Sequence, residues 1–221
     1  MPSDVLPGYG WNKDTGRYRD LNSGRFVSRQ AINELLTAQI QSAESRLGAL
    51  STSFHEGKLA PSVWVEQVRT EVRRLAIQQI ALAKGGFSQI DNRDFSKADS
   101  LLRDVHIRIT VTAQDTIDDK VSLPQLLNRV SGYIGETRRL YWQTWLENAH
   151  ASSFDNVLIA KRTLGSSEHC EDCLAYYQLG YVLIEDAVAP GSQCQCGPRC
   201  QCDLVVQEVP RSELEQWLGT K

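Results

Sequence analysis

The chain has 221 residues, of which 41% are hydrophobic and 23% are charged, and its formal net charge is −3. This composition suits a globular protein with a real core, and the small net charge gives no reason to expect broad electrostatic binding to nucleic acid or to an anionic membrane. No apolar run approaches the ~20 residues that span a bilayer, and the N-terminus lacks the basic and apolar stretches of a secretory signal. We therefore expect the chain to fold in the cytosol.

The first 27 residues are rich in Gly, Pro, Asn and Asp and show little apolar periodicity, which predicts an extended N-terminal arm over residues 1–27. Two similar motifs, Gly16-Arg17-Tyr18-Arg19 and Gly24-Arg25-Phe26-Val27, flank a sequence typical of a hairpin turn. Two interpretations stay open for this arm. It is either a solvated tail or a segment that orders against a neighbouring subunit, with Tyr18 and Phe26 as anchors.

Four amphipathic helices are predicted between residues 28 and 150, where apolar residues recur at three- and four-residue spacing. Together they predict a helical domain. The first is expected to stop at Ser51, where a polar stretch begins. The residues that predict the other boundaries are Ser28 as the N-cap of the first helix, Pro61 and Gly85-Gly86 at the two ends of the second, and Ser122-Leu123-Pro124 at the start of the fourth.

The third helix is expected to begin near Asp94 and to continue to about Ile117. Residues 107–112 within it are largely β-branched and alternate in the manner of a strand. No turn signal interrupts the stretch, so the helical interpretation is preferred.

The character of the sequence changes after residue 150, and residues 151–221 predict a small cysteine-rich α+β module. Short apolar runs typical of strands occur there, at 157–160, 181–184 and 204–206. Pro210 separates the last strand from a closing helix, for which Ser212 and Glu215 have the spacing of a capping box.

All six cysteines lie in the last quarter of the chain, and residues 1–169 contain none. Cys170 and Cys173 form a Cys-x-x-Cys pair, and the others are Cys194, Cys196, Cys200 and Cys202. In a reducing compartment this pairing favours a metal over disulfides, with an iron–sulfur cluster or free thiols as the remaining alternatives. The pattern predicts a Zn²⁺ ion held tetrahedrally by thiolates from both ends of the segment.

Six cysteines exceed the four positions of one tetrahedral ion, so either two are spare or a second metal shares ligands. The preferred set is Cys170, Cys173, Cys200 and Cys202, with Cys196 as the first substitute and Cys194 as a further competitor. His169 adjoins the first pair, but an imidazole beside a ligand more often lies outside the coordination shell, and we do not include it.

The fold class expected from these features is mainly α, a helical bundle followed by a small zinc-stabilised α+β module. The module has few large apolar residues, so the metal would replace a core that the segment cannot build. Because thiolates close the coordination shell, the site is expected to be structural rather than catalytic. The sequence also lacks the P-loop, His-Glu-x-x-His and Gly-x-Ser-x-Gly motifs, and no enzymatic activity is expected.

The order of motifs in the C-terminal quarter carries a family resemblance. The Cys-x-x-Cys pair is followed by Gly180-Tyr181, Pro190-Gly191-Ser192 and Cys196-x-x-x-Cys200-x-Cys202 before a last apolar strand. This order resembles the end of the minor head, or head-morphogenesis, proteins of tailed phages, which often close with a Cys-Arg-Cys step. Similarities to phage structural proteins also occur upstream, at Gly57-Lys58-Leu59, Trp64, Gly85-Gly86, Val121-Ser122, Leu140-Tyr141-Trp142 and Gly24-Arg25-Phe26-Val27-Ser28.

The resemblance implies a virion structural protein that is made in the host cytoplasm and acts in head assembly through protein–protein contacts. The partners it implies are the portal, major capsid or neck proteins, with homo-oligomerisation as a further option. No membrane partner is expected.

A zinc-ribbon nucleic-acid-binding protein is the alternative, and it should concentrate Lys and Arg around the cysteines. Residues 194–221 do not show this. Their basic residues are Arg199, Arg211 and Lys221, against the acidic Asp203, Glu208, Glu213 and Glu215. A direct, specific nucleic-acid partner is therefore not expected.

Overall fold

A computed structural model describes residues 3–13, 15–149, 153–165 and 168–220. The order of its elements is a β-hairpin, four long helices and a small α+β module. These elements are β1 (Tyr9–Asn12), β2 (Arg17–Asp20), α1 (Arg29–His55), α2 (Pro61–Lys84), α3 (Asn92–Ile117), α4 (Leu123–Asn148), β3 (Asn156–Thr163), α5 (Glu171–Gln178), β4 (Val182–Leu183), β5 (Asp203–Pro210) and α6 (Leu214–Trp217). The predicted fold class, mainly α with a helical bundle followed by a small α+β module, is confirmed.

Helix α2 is the centre of the bundle and packs against the other three long helices. Its apolar residues recur every three or four positions, so one broad face is fully buried. That face consists of Trp64, Val68, Val72, Leu75, Ala76 and Ile80. The helix begins at Pro61 and ends at Gly85, as the sequence predicts, because proline suits the first turn and glycine adopts the left-handed closing conformation.

Helix α1 continues to His55 and does not stop at the polar stretch that begins with Ser51. Ser51 is buried, and its Oγ accepts a hydrogen bond from the indole N–H of Trp64 at 3.0 Å. One turn later Phe54 stacks on the same indole, with ring centroids 4.7 Å apart. Contacts with α2 thus hold the last turn of α1 in place, and these contacts are not visible in local sequence.

Helix α3 begins at Asn92, two residues before the predicted start, because Asp91 and Asp94 form a capping box. The strand-like residues 107–112 are helical. Ile109 and Thr112 face the bundle and are buried, so tertiary packing outweighs their β-propensity.

The predicted N-terminal arm folds back onto its own chain. Strands β1 and β2 pair antiparallel. The expected turn follows β2, where the backbone N–H of Gly24 donates to Asp20 O at 2.9 Å and Arg19 pairs with Phe26. Tyr18 is buried, and its hydroxyl donates to the carbonyl of Leu82 at 2.9 Å. Tyr18 therefore anchors this segment to α2 within one molecule, while a contact with a neighbouring subunit stays a prediction.

The end of α2 meets the hairpin so closely that only glycine fits at position 85. Gly85 has a φ of 93°, and a Cβ built there would overlap the ring of Trp11. We expect Gly85→Ala to destabilise the protein by about 2–4 kcal/mol, from backbone strain and the clash together. Gly57→Ala is the matched control, since Gly57 has a φ of 71° but open space around its Cα. Chemical unfolding followed by circular dichroism should show the larger loss for position 85, and equal losses would contradict the clash.

The C-terminal module is built on a three-stranded antiparallel sheet with β3 in the centre, between β4 and β5. Strands β3 and β5 pair over their full lengths, from Asn156 opposite Pro210 to Thr163 opposite Asp203. The apolar core of the sheet is small. It consists of Ile159, Tyr181 and Val209, with Trp217 edge-on to Tyr181 at 5.7 Å between ring centroids.

The closing helix differs from its prediction. The first turn, Arg211–Glu213, is a 3-10 helix, and α6 is only four residues long. The expected capping box of Ser212 and Glu215 does not form, because the N-cap position falls on Glu213, whose side chain makes no capping hydrogen bond.

The bundle and the module share a second apolar cluster, in which Tyr141 and Trp142 of α4 join Ala189 and Leu204 of the module. The predicted boundary between the two domains lies at residues 150–152, outside the described residues. Among the described helices, none has both the length and the apolar character needed to cross a membrane.

Candidate metal centre

Two segments of the module supply the six cysteines. Cys170 is the N-cap of α5 and Cys173 lies in its first turn, so the Cys-x-x-Cys spacing places both at the same end of that helix. The other four cysteines flank the short 3-10 turn Gly197–Arg199, and Cys202 directly precedes β5. The site is therefore formed where the start of a helix meets an irregular loop that enters a strand.

Polar contacts hold this loop against the rest of the protein. The Arg199 guanidinium donates to Asn128 Oδ1 of α4 at 2.7 Å, and the backbone N–H of Gln195 donates to Asp172 Oδ2 of α5 at 2.8 Å. Gly165 lies against the backbone of Gln201, where a Cβ would overlap the Gln201 carbonyl oxygen. The loop is thus fixed on the bundle side, on the α5 side and on the segment after β3.

All six cysteines, which lie in the described part of the chain, are free thiols that converge into one cluster. Their sulfur atoms form two groups, each with all members within 4.8 Å of one another. We call Cys170, Cys173, Cys194 and Cys196 the first group, and Cys173, Cys200 and Cys202 the second group. Cys173 belongs to both.

The sulfur spacing is that of metal co-ligands. Cys173 Sγ lies 3.6 Å from Cys196 Sγ and 3.7 Å from Cys200 Sγ. A disulfide bond is ~2.05 Å long, whereas two sulfurs each 2.3 Å from one tetrahedral ion are separated by ~3.8 Å. The cluster is therefore compatible with a metal site, as the spacing of the cysteines predicts. The four preferred ligands are divided between the two groups, with Cys170 in the first, Cys200 and Cys202 in the second, and Cys173 in both.

The thiols shift one another's pKa values in opposite directions. Burial acts to raise the pKa of Cys170, but hydrogen bonds with the Cys196 thiol and with backbone N–H groups outweigh it and lower this pKa to about 6. Burial raises the pKa of Cys173 and of Cys194. A hydrogen bond with Cys200 lowers the pKa of Cys202. These influences oppose one another, whereas a bound cation would stabilise every thiolate that coordinates it.

Arg162 of β3 places a buried positive charge beside the cluster. Its side chain reaches Cys200 Sγ at 3.9 Å, donates to the carbonyl of Val188 at 2.5 Å and lies over the ring of Tyr176. Its Nε has no hydrogen-bond partner among the described residues. The hydrogen bond with Cys202 and burial raise the pKa of Cys200, and a guanidinium in this position acts against that rise. This role was not predicted from the sequence, although the alternation of β3 points position 162 to the same side as the buried Ala160.

We expect Arg162→Met to weaken metal binding about 10- to 100-fold, the effect typical of losing a residue that supports a metal ligand. Lys161→Met is the matched control, because Lys161 lies on the opposite face of β3, over the Tyr181 ring at 4.8 Å. Competition with a chromophoric chelator measures both affinities. Equal affinity of the Arg162 variant and the native protein would contradict a role for this charge.

His169 also faces the cluster, although it was not among the ligands predicted from the sequence. Its Nε2 lies 3.0 Å from the carbonyl oxygen of Gly165, and its Nδ1 lies 3.7 Å from Cys202 Sγ. A carbonyl can only accept, so Nε2 carries a hydrogen, and in the neutral ring Nδ1 then presents its lone pair toward the sulfur. The signal in the sequence was its adjacency to Cys170.

Comparison of the chain with protein-family models, with curated proteins and with solved structures finds no match. The resemblance to tailed-phage minor head proteins stays a prediction, as do the partners and the location that it implies.

Outside the cysteine cluster, large apolar side chains are exposed on the outer face of α3. Ile107 is 67% exposed and Val111, one helical turn later, is 54% exposed. On α5, Leu174 and Tyr177 are also exposed. Single exposed apolar residues are ordinary, but pairs one turn apart on the same helix face are candidate contact surfaces.

Proposed function

We propose that this protein is a structural component of a tailed-phage head, in which a thiolate-bound zinc fixes the C-terminal module and the helical bundle acts as a scaffold. Its partners are other virion proteins, namely the portal, the major capsid protein or neck proteins. The observation that carries the structural role is the convergence of six sulfurs in a module with a small apolar core. The phage assignment rests on the order of the short sequence motifs.

Zinc is the metal that best suits these ligands. Thiolates are soft ligands, and tetrahedral sulfur sites select Zn²⁺ or iron–sulfur clusters. A catalytic zinc keeps one position open for water or substrate, whereas the first group alone provides four sulfurs. The ion therefore acts as a cross-link between α5 and the loop that leads into β5, and supplies folding energy that the apolar core of the module does not.

Elemental analysis of protein purified without chelators tests the metal. Zinc should be present in at least stoichiometric amount and should persist through dialysis, with six thiols titratable after denaturation in EDTA. Iron with visible absorption in place of zinc would contradict the assignment. Metal-free protein with fewer titratable thiols would instead support disulfides.

The exposed pair on α3 is our candidate for the contact with other head proteins. We expect the double variant Ile107→Asp, Val111→Asp to fold normally but to be depleted at least tenfold from assembled heads, because charges at an apolar contact must be desolvated. Val63→Asp is the matched control, an apolar-to-acid change at an exposed position of α2.

The measurement is quantitative mass spectrometry of heads assembled from this chain and the capsid and portal proteins encoded beside its gene. Incorporation of the double variant at the native level would contradict the proposed contact surface. Complete absence of the native protein from otherwise intact heads, or a gene neighbourhood without portal or terminase, would contradict the virion assignment itself.

A further inference from the structure

We infer that the cluster binds two metal ions rather than one, with the Cys173 thiolate bridging them and His169 Nδ1 completing the shell of the second ion. The inference deepens the proposed structural role and rests on it. It assigns a ligand to each of the eight positions that two tetrahedral ions require.

The sulfurs form two groups that overlap in one atom. Cys170, Cys194 and Cys196 belong to the first group alone, and Cys200 and Cys202 belong to the second alone. Cys173 Sγ is at co-ligand distance from a member of each, 3.6 Å from Cys196 and 3.7 Å from Cys200. A thiolate has several lone pairs and can bind two ions at once, so this atom is placed as a bridge.

The number of ligands suits two tetrahedral ions. The first group gives one ion four sulfurs, which is a complete tetrahedral shell. The second group gives another ion three sulfurs, including the bridge, and leaves one position to fill. His169 Nδ1 lies 3.7 Å from Cys202 Sγ, close to the ~3.6 Å between a nitrogen and a sulfur bound to one tetrahedral zinc. It lies farther from the rest of the second group, so its side chain closes on the ion when the ion binds.

The ring of His169 has the orientation that is typical of a metal ligand. Histidine ligands of metals commonly donate their other ring N–H to a backbone carbonyl, which fixes the tautomer and the ring plane. The 3.0 Å contact between His169 Nε2 and Gly165 O is such an arrangement. Gly165 in turn packs closely against Gln201, between the two cysteines of the second group, so the acceptor lies beside the segment that carries these ligands.

The charge of the cluster also favours two ions. Six thiolates around one divalent ion would leave a large uncompensated negative charge in a largely buried site, whereas two divalent ions offset four of the six charges. Arg162, beside Cys200, offsets one more.

Native mass spectrometry of the full chain after zinc loading tests the count. The native protein should carry two zinc ions. At a chelator concentration that leaves both bound, His169→Ala should retain one. His169→Cys should retain two, because a thiolate can replace the imidazole, and His106→Ala on α3 is the control that should also retain two. A native protein with one ion, unchanged by His169→Ala, overturns the inference but leaves the structural site intact. No bound metal overturns both.

Nuclear magnetic resonance of ¹¹³Cd-loaded protein tests the bridge. Two resonances are expected, one from a four-sulfur and one from a three-sulfur, one-nitrogen environment, with scalar coupling between the two cadmium nuclei through the Cys173 sulfur. His169→Cys should move only the second resonance, toward the first. Two uncoupled resonances would overturn the bridging role of Cys173.

Discussion

Cys173→Ser is expected to abolish stable metal binding and to unfold the C-terminal module while the four-helix bundle stays folded. Cys173 is the one sulfur that belongs to both groups of the cluster, and it is fully buried. Structural zinc contributes ~10–16 kcal/mol in small metal-dependent domains, which exceeds what the small apolar core of Ile159, Tyr181 and Val209 can replace. The bundle has a separate core centred on α2.

Three measurements check this expectation. Elemental analysis should find no bound zinc, circular dichroism should keep most of the helical signal, and limited proteolysis should cleave rapidly beyond α4. Cys194→Ser is the matched control, because Cys194 belongs only to the first group and its loss leaves the second group complete. Full retention of zinc in the Cys173 variant, or collapse of the helical signal, would each contradict the expectation.

Metal removal should reproduce the effect of the variant. Thiolates bind metal only when deprotonated, so the affinity falls as the pH is lowered and protons compete for sulfur. EDTA at mildly acidic pH should therefore unfold the module reversibly, and zinc with a reductant at neutral pH should restore it. An irreversible loss in reducing buffer would point away from a simple metal-linked equilibrium.

The sequence predicts the elements of this fold better than their contacts. Pro61 and Gly85 mark the ends of α2 because each acts through its own backbone geometry. The predicted end of α1 was wrong, because the polar side chain of Ser51 accepts a hydrogen bond from Trp64, 13 residues away, and is buried within the helix. The burial of Tyr18 depends on Leu82, which no local pattern links to the N-terminal segment.

The candidate metal centre could likewise be predicted only in part from the sequence. The convergence of the cysteines follows from their spacing, since paired thiols in a reducing compartment favour a shared ion. The two overlapping groups do not follow from it, because they depend on how the loop that carries Cys194 and Cys196 lies against α5. The place of Arg162 beside Cys200 was not predicted, because the two become neighbours only once β3 is placed. His169, which was weighed from the sequence and left outside the ligand set, is oriented by the backbone carbonyl of Gly165.

Trp64→Ala should affect the other part of the protein from Cys173→Ser. It should destabilise the bundle and leave the metal content unchanged. Trp64 is fully buried, stacks on Phe54 and donates to Ser51, so its removal leaves a cavity between α1 and α2. Truncations of this kind cost about 3–5 kcal/mol. Val63→Ala, at an exposed neighbouring position on the same helix, should cost less than about 1 kcal/mol.

Chemical unfolding followed at 222 nm measures the free energy of unfolding of the bundle, and elemental analysis under native conditions measures the metal. Trp64 lies in the apolar cluster of the bundle and not in the one that joins it to the module. The variant should therefore keep its zinc as long as the chain is folded. Loss of zinc at denaturant concentrations where the helical signal is still native would mean that the module depends on the packing of α2, and that the two units are not separately stabilised.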